Sequence, residues 1–357
     1  LVNFASKLDS DLKHHLETSA VFKGVSKTIQ NEILDCLLQI YHEDIRTEIR
    51  KASFVAVMAD DTTDVSKHTQ MVLVLRYILN GEIFEHFGDS LFQKIKLEMA
   101  LEQLDIILQG NGQKLIAQTF DGANVMKGKK AGVQAKIKAV YNNAHFIHCY
   151  AHQLNLIMRN AASIKRNARI FFSNILAIPT FFSRSPQRVS ILKKHMEVSI
   201  PRPSSTRWNF NIRTINRVHE NLQPLINCLT EIQSTSNADQ TIAEATGILK
   251  YLSDDNFKFW LELFHHIMPH VEIIYNQMQS REISVFKVNE CITNFKTAIL
   301  ELRNSKYCEN PSKTLMAEAK EVCDCVCVDI TDRYSSTKHL VAVKLFNKKC
   351  FTSFKNE

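Results

Sequence analysis

Apolar residues recur at helical spacing through the first fifty positions, as Leu8, Leu12 and Leu16 and then Ile29, Ile33, Leu37 and Ile40, which predicts helices over 7–51. The period then changes. Residues 53–59 (SFVAVMA) form a short apolar, β-rich run that ends in the acids Asp60, Asp61 and Asp64, and 71–79 form a second. Asn80-Gly81 is a hairpin signal, because both residues tolerate positive φ, so 83–87 can return as a third antiparallel strand. A helix over 94–108 follows, then a fourth apolar run over 115–120. That run ends in Asp121 and a glycine-containing loop, before a helix over 133–141 and a fifth strand over 144–148.

The resulting order, β-β-β-α-β-α-β and then helix, is that of a ribonuclease-H-like α/β fold with a mixed sheet, in which a crossover helix allows strands one and four to run parallel. From Cys149 onward helical spacing replaces the strand signal, with breaks expected at Pro179, Pro186, the 201–205 loop (PRPSS) and the polar stretch 234–240. This half reads as a large all-α insertion domain. The expected division is a helical lead-in over 1–52, a first part of the core over 53–165, and the insertion over 166–357, ending before the core is completed.

Composition supports this picture. Nine glycines and seven prolines in 357 residues leave room mainly for long regular elements, which disfavours an all-β fold. The net charge of +7 permits a nucleic-acid partner without demanding one. Nine cysteines without framework spacing fit reduced thiols in the nucleus or cytoplasm rather than disulfides. Neither a charged-then-apolar leader nor an apolar stretch of membrane-spanning length is present, so no membrane partner is expected.

Along the first strand side chains alternate, so only one of the adjacent residues Asp60 and Asp61 can face a given site. If strands one and four lie side by side, Asp60 and Asp121 can together hold divalent metal ions with phosphate oxygens. The plainer reading is that Asp60, Asp61 and Asp64 cap turns or helices.

Three segments carry a family resemblance: Ala59-Asp60-Asp61-Thr62-Thr63-Asp64, Phe120-Asp121-Gly122-Ala123-Asn124-Val125-Met126, and His148-Cys149-Tyr150-Ala151-His152-Gln153-Leu154-Asn155-Leu156. In order and spacing they resemble successive motifs of hAT-family transposase-derived proteins. The nearest group is the domesticated one that includes MYM-type zinc-finger-like and repressor-of-the-inhibitor-of-protein-kinase-like proteins. The likeness continues through Phe181-Phe182-Ser183-Arg184-Ser185 and Thr206-Arg207-Trp208, and so spans most of the chain. It implies that Asp60 and Asp121 are two of three catalytic, metal-holding carboxylates, with Mg²⁺ or Mn²⁺ as cofactor, and that the chemistry is cleavage and strand transfer at transposon-end DNA. The third, a glutamate after the insertion, has no match: Glu318 and Glu321 sit in insertion-like helix, so no role is carried to them.

Cys149 and His152 match the family's Cys-x-x-His motif near the catalytic centre. Four ligands in paired clusters are absent, so packing or DNA contact is expected there rather than zinc. Cys323, Cys325 and Cys327 read as buried thiols, and His266 and His270, with Pro269 between them, as ordinary helix residues. Lys127, Lys129 and Lys130 follow Asp121 and can meet phosphates or simply face water. The resemblance gives Arg207 and Trp208 a place at the DNA end, where an indole can stack on a flipped base; a buried anchor is the equal alternative.

The expected function is therefore a hAT-type, transposase-like fragment of a metal-dependent DNA cleavage and strand-transfer domain, inactive as it stands, nuclear, and homo-oligomeric through a C-terminal segment outside it. The alternative is a domesticated, non-catalytic nuclear regulator that keeps the fold and works through protein partners. A free-standing ribonuclease H ranks last, since it has neither the long insertion nor the three motifs.

Overall fold

The structure is a computed structural model, and it describes residues 6–7, 9–19, 26–63, 69–92, 104–105, 108, 110–122, 124–130, 132–201, 209–280, 283–305 and 311–335. The chain divides into two compact units, Leu1–His148 and Cys149–Glu357.

The first unit opens with two helices, α1 (Ser10–Thr18) and α2 (Lys27–Lys51). Each has a polar N-cap: the Asp9 carboxylate accepts from the Asp11 and Leu12 amides, and the Ser26 hydroxyl accepts from the Ile29 amide. Five strands follow, β1 (Val55–Thr63), β2 (Thr69–Leu79), β3 (Glu82–Phe92), β4 (Leu115–Phe120) and β5 (His145–His148), with α3 (Asn124–Lys127) and α4 (Val133–Val140) between β4 and β5.

The sheet order is β3-β2-β1-β4-β5. Strands β1 to β3 pair antiparallel, whereas β4 runs parallel to β1 and β5 parallel to β4. This is the ribonuclease-H-like topology that the strand order implied. The β2–β3 turn has positive φ at both Asn80 (54°) and Gly81 (85°), as the hairpin signal required. Between Val55 and Ala56 the β1–β4 register shifts, so that Val55 faces Leu115 but Ala56 faces Ala117.

The strands run longer than hydrophobicity alone indicated. β1 continues through the polar Asp60–Thr63 stretch because its backbone there pairs residue by residue with Val72 down to Thr69 of β2. Main-chain pairing overrides local propensity in this case. The expected 94–108 helix lies outside the described residues except at Leu104, Asp105 and Leu108, which are helical; the two leucines are buried.

The core of this unit joins Val55 and Val57 of β1, Leu75 and Tyr77 of β2 and Phe120 of β4 to Ile45 and Ile49 of α2 and Ile137 of α4. The C-terminal half of α2 is tied down further by polar contacts. Tyr77 donates to the Glu48 carboxylate, and Lys114 donates from Nζ to the Arg50 carbonyl oxygen at 2.6 Å.

The second unit contains the helices α5 (Tyr150–Ile164), α6 (Arg166–Ser183), α7 (Pro186–His195), α8 (Asn209–Glu220), α9 (Leu222–Thr235), α10 (Asp239–Leu252), α11 (Asp255–Met278), α12 (Val285–Asn304) and α13 (Lys313–Arg333). Its core is strongly aromatic. Phe171 and Phe172 of α6 meet Phe264 of α11 at ring-centroid distances of 5.6 and 4.6 Å, and Trp260 is buried beside them.

Pro186 begins a helix, and the 234–240 stretch is the break between α9 and α10, both as expected. Pro179, by contrast, is not a boundary. It is buried inside α6, where the apolar face made by Phe171, Ile175, Ile178 and Phe182 outweighs one lost backbone hydrogen bond. Pro269 is likewise inside α11. Of the 201–205 loop only Pro201 is described. Among the described residues no helix is long and apolar enough to cross a membrane.

Candidate functional site

The ends of β1 and β4 position the two acids singled out by sequence. Past the register shift, Met58 lies opposite Thr119 on the parallel neighbour. The pairing ends there, and the same register continued two residues along each chain would bring the Asp60 and Asp121 backbones level. Asp60 belongs to β1 and pairs in turn with Val72 of β2, while Asp121 is the half-buried residue directly after β4. The side chains of Asp60 and Asp61, and all of Asp64, lie outside the described part.

Gln118 holds the end of β4 in place, three residues before Asp121. Fully buried, its amide nitrogen donates to the backbone oxygens of Gln134 at 3.0 Å and Ala144 at 3.1 Å. One side chain thus links β4 to α4 and to the entry of β5. Sequence reading missed this residue, although a glutamine inside the apolar run LIAQTF was a visible signal, because a buried amide requires partners.

The loop after Asp121 is also constrained. Met126 of α3 is buried, the Gln134 amide donates to the Lys127 carbonyl oxygen at 2.6 Å, and the Gly132 amide donates to the Gly128 carbonyl oxygen at 3.0 Å. Lys127, Lys129 and Lys130 are all exposed on this pinned segment. Three ammonium groups therefore stand just beyond the strand that delivers Asp121.

Tyr141 closes the far end of α4. Its hydroxyl pKa is pushed up to about 12, chiefly by burial and then by the neighbouring Asp105 carboxylate. Among the described residues no group of three or more His, Cys, Asp or Glu side chains is placed to hold a metal ion.

The other sequence candidates are distributed through the second unit. Cys149 caps the start of α5 and His152 lies in its first turn, both half-buried. Arg207 and Trp208 fall outside the described residues. Glu318 accepts from the Asn167 side-chain amide at 2.9 Å and Glu321 pairs with Lys165, so both acids join α13 to the α5–α6 junction.

Cys323 and Cys327 are buried thiols on α13, and Cys325 between them is half-buried. His266 pairs with Glu262 at 3.1 Å rather than acting with His270. The same carboxylate meets His219 at 2.7 Å, and the His219 ring stacks on His265 at 3.7 Å. Burial, followed by the His219 charge, lowers the pKa of His265. Sequence reading did not single out this cluster, since its members come from two helices.

The mixed five-stranded sheet, in the order β3-β2-β1-β4-β5, is that of an RNase-like α/β domain. Residues 1–132 match the family model DUF4371, described as "ZMYM1/FAM200, RNase-like domain". Among solved structures, the Drosophila P element transposase strand transfer complex is similar at 10% identity over 94% of this chain and 86% of that one, with a TM-score of 0.29. A superposition that loose carries no argument.

Proposed function

We propose that the chain is the core of a hAT-type transposase-like protein that works on DNA in the nucleus, with Asp60 and Asp121 as its metal-holding carboxylates. The observation behind this reading is the parallel β1–β4 register, which runs to Met58 and Thr119 and, continued two residues along each chain, would bring the Asp60 and Asp121 backbones level. It is supported by the three motifs and their spacing. Two carboxylates at neighbouring strand ends suit Mg²⁺ or Mn²⁺, hard cations that take oxygen ligands and share them with phosphate. When bound there, such ions supply charge stabilisation and an activated water for phosphodiester cleavage.

This chain's own residues would then bind and orient the DNA. Lys127, Lys129 and Lys130 are exposed on the segment that follows Asp121 in the chain, and their ammonium groups can hold phosphates without reading sequence. Arg207 and Trp208 would add contacts at the DNA end, and oligomerisation would bring two ends together.

A second reading is a domesticated regulator that keeps the fold without the reaction.

Mn²⁺ binding, followed by the electron paramagnetic resonance of the ion, tests the site directly, and nicking of an end-labelled duplex in Mn²⁺ tests the reaction. The wild-type chain should bind Mn²⁺, and Asp60→Asn or Asp121→Asn should lose it. Undiminished Mn²⁺ binding by both variants would overturn the metal site. Binding without nicking would support the regulator instead.

A further inference from the structure

Helix α2 rests on the sheet through only part of its length. Ile45 and Ile49 are buried, yet the same apolar side of the helix continues toward its N-terminus as Ile33, Leu34, Leu37, Leu38 and Ile40, which are between 48 and 61% exposed. At 100° per residue these five fall within one broad stripe that also contains Ile45. A contiguous run of exposed leucine and isoleucine is unusual on a protein surface and marks a contact area.

Between Thr28 and Ile45 the helix's own charges are of one sign. From Thr28 to Ile45 there is no lysine or arginine, whereas Glu32, Asp35, Glu43 and Asp44 are present, in a chain whose net charge is +7. Glu43 is already engaged by Arg46 at 3.3 Å and Arg50 at 3.0 Å, which leaves Glu32, Asp35 and Asp44 to set the local potential.

We propose that the exposed face of α2 between Glu32 and Asp44 docks a basic amphipathic helix of a partner protein. Such a partner would lay leucines along the stripe and lysines or arginines against the flanking acids. Helix-on-helix recognition of this kind uses anchors at i, i+3, i+4 and i+7, which is the spacing of Ile33, Leu37 and Ile40. A second copy of this chain suits the stripe less well, because it would bring the same acids against their like across the seam.

The test uses the full chain and two fluorescent synthetic peptides of identical amphipathic pattern, one of leucine and lysine and one of leucine and glutamate, with the oligomeric state of the chain followed by light scattering. The lysine peptide should bind at least about tenfold more tightly than the glutamate peptide, as charge complementarity requires. Leu34→Gln with Leu37→Gln should abolish that binding, and Glu32→Lys with Asp35→Lys should remove or invert the preference; both pairs are exposed, so the fold is spared. Equal binding of the two peptides, or full binding by the leucine variant, would overturn the proposal. A wild-type dimer that the leucine variant converts to monomer would overturn it too, by assigning the face to a second copy.

Discussion

The backbone amide of Gly132 reaches the carbonyl oxygen of Gly128 at 3.0 Å, and a Cβ built on Gly132 would lie 2.4 Å from the Gly128 nitrogen. No side chain can be accommodated there without moving the backbone that presents Lys127, Lys129 and Lys130. Gly132→Ala should therefore destabilise the chain by about 1–3 kcal/mol. Gly247, inside α10, has nothing within 4 Å of an added Cβ, so Gly247→Ala should act in the opposite direction, by about 0.5–1 kcal/mol. Urea midpoints of the two variants check both signs, and a stable Gly132→Ala chain would disprove the tight turn.

Gln118 supports a second prediction. Gln118→Leu keeps the bulk but removes the N–H donors that reach the Gln134 carbonyl oxygen in α4 and the Ala144 carbonyl oxygen just before β5. The expected loss is about 2 kcal/mol. Hydrogen exchange should locate it, with faster exchange in β4 and β5 and unchanged rates in α11.

A third prediction concerns the thiols. Burial, then the neighbouring Cys327 and Asp324, pushes the Cys323 thiol up to about 12, and burial does the same for Cys228. Cys36 is exposed on α2. Since the thiolate is the reacting species, iodoacetamide at mildly alkaline pH should label Cys36 well before Cys228 and Cys323 in the folded chain, and all nine cysteines only after unfolding. Mass spectrometry reads the order, and early alkylation of Cys323 would contradict its burial. The linkage has a definite sign. With folded-state pKa values raised, these thiols contribute stability that is fully present below about pH 8.5 and is lost as pH rises toward 12. Alkaline pH should therefore destabilise the helical unit, which a lower urea midpoint at about pH 10 than at about pH 7 would check.

Much of the first unit was legible because its signals are local. Asn80-Gly81 adopts the two positive φ values that its residue types invite, and the 115–120 strand coincides with its apolar run. Strand ends were harder to read. Thr62 and Thr63 belong to β1 only because β2 is there to pair with them, and nothing in their own composition states that. Pro179 misled for a related reason: a proline's local cost is fixed, while the aromatic packing that offsets it comes from α11, far along the chain.

The candidate site divides along the same line. Asp60 and Asp121 were singled out by motif, and the parallel pairing of their strands follows from the strand order, whereas the shifted register between those strands does not. The buried amide of Gln118 and the shared carboxylate of Glu262 were not found, since both depend on partners that only folding supplies. Helical spacing likewise identified Ile33, Leu37 and Ile40 as one face of α2 without stating whether anything would cover it.

The register shift at the start of β4 acts on this geometry from a distance. Ile116 is one residue more than the facing stretch of β1 requires, and every later position of β4 is advanced by that one step. In an unshifted ladder Met58 would face Gln118 instead of Thr119. A partly exposed isoleucine with no chemistry of its own thus acts as the vernier that sets the phase of β4 against β1 along the rest of their pairing.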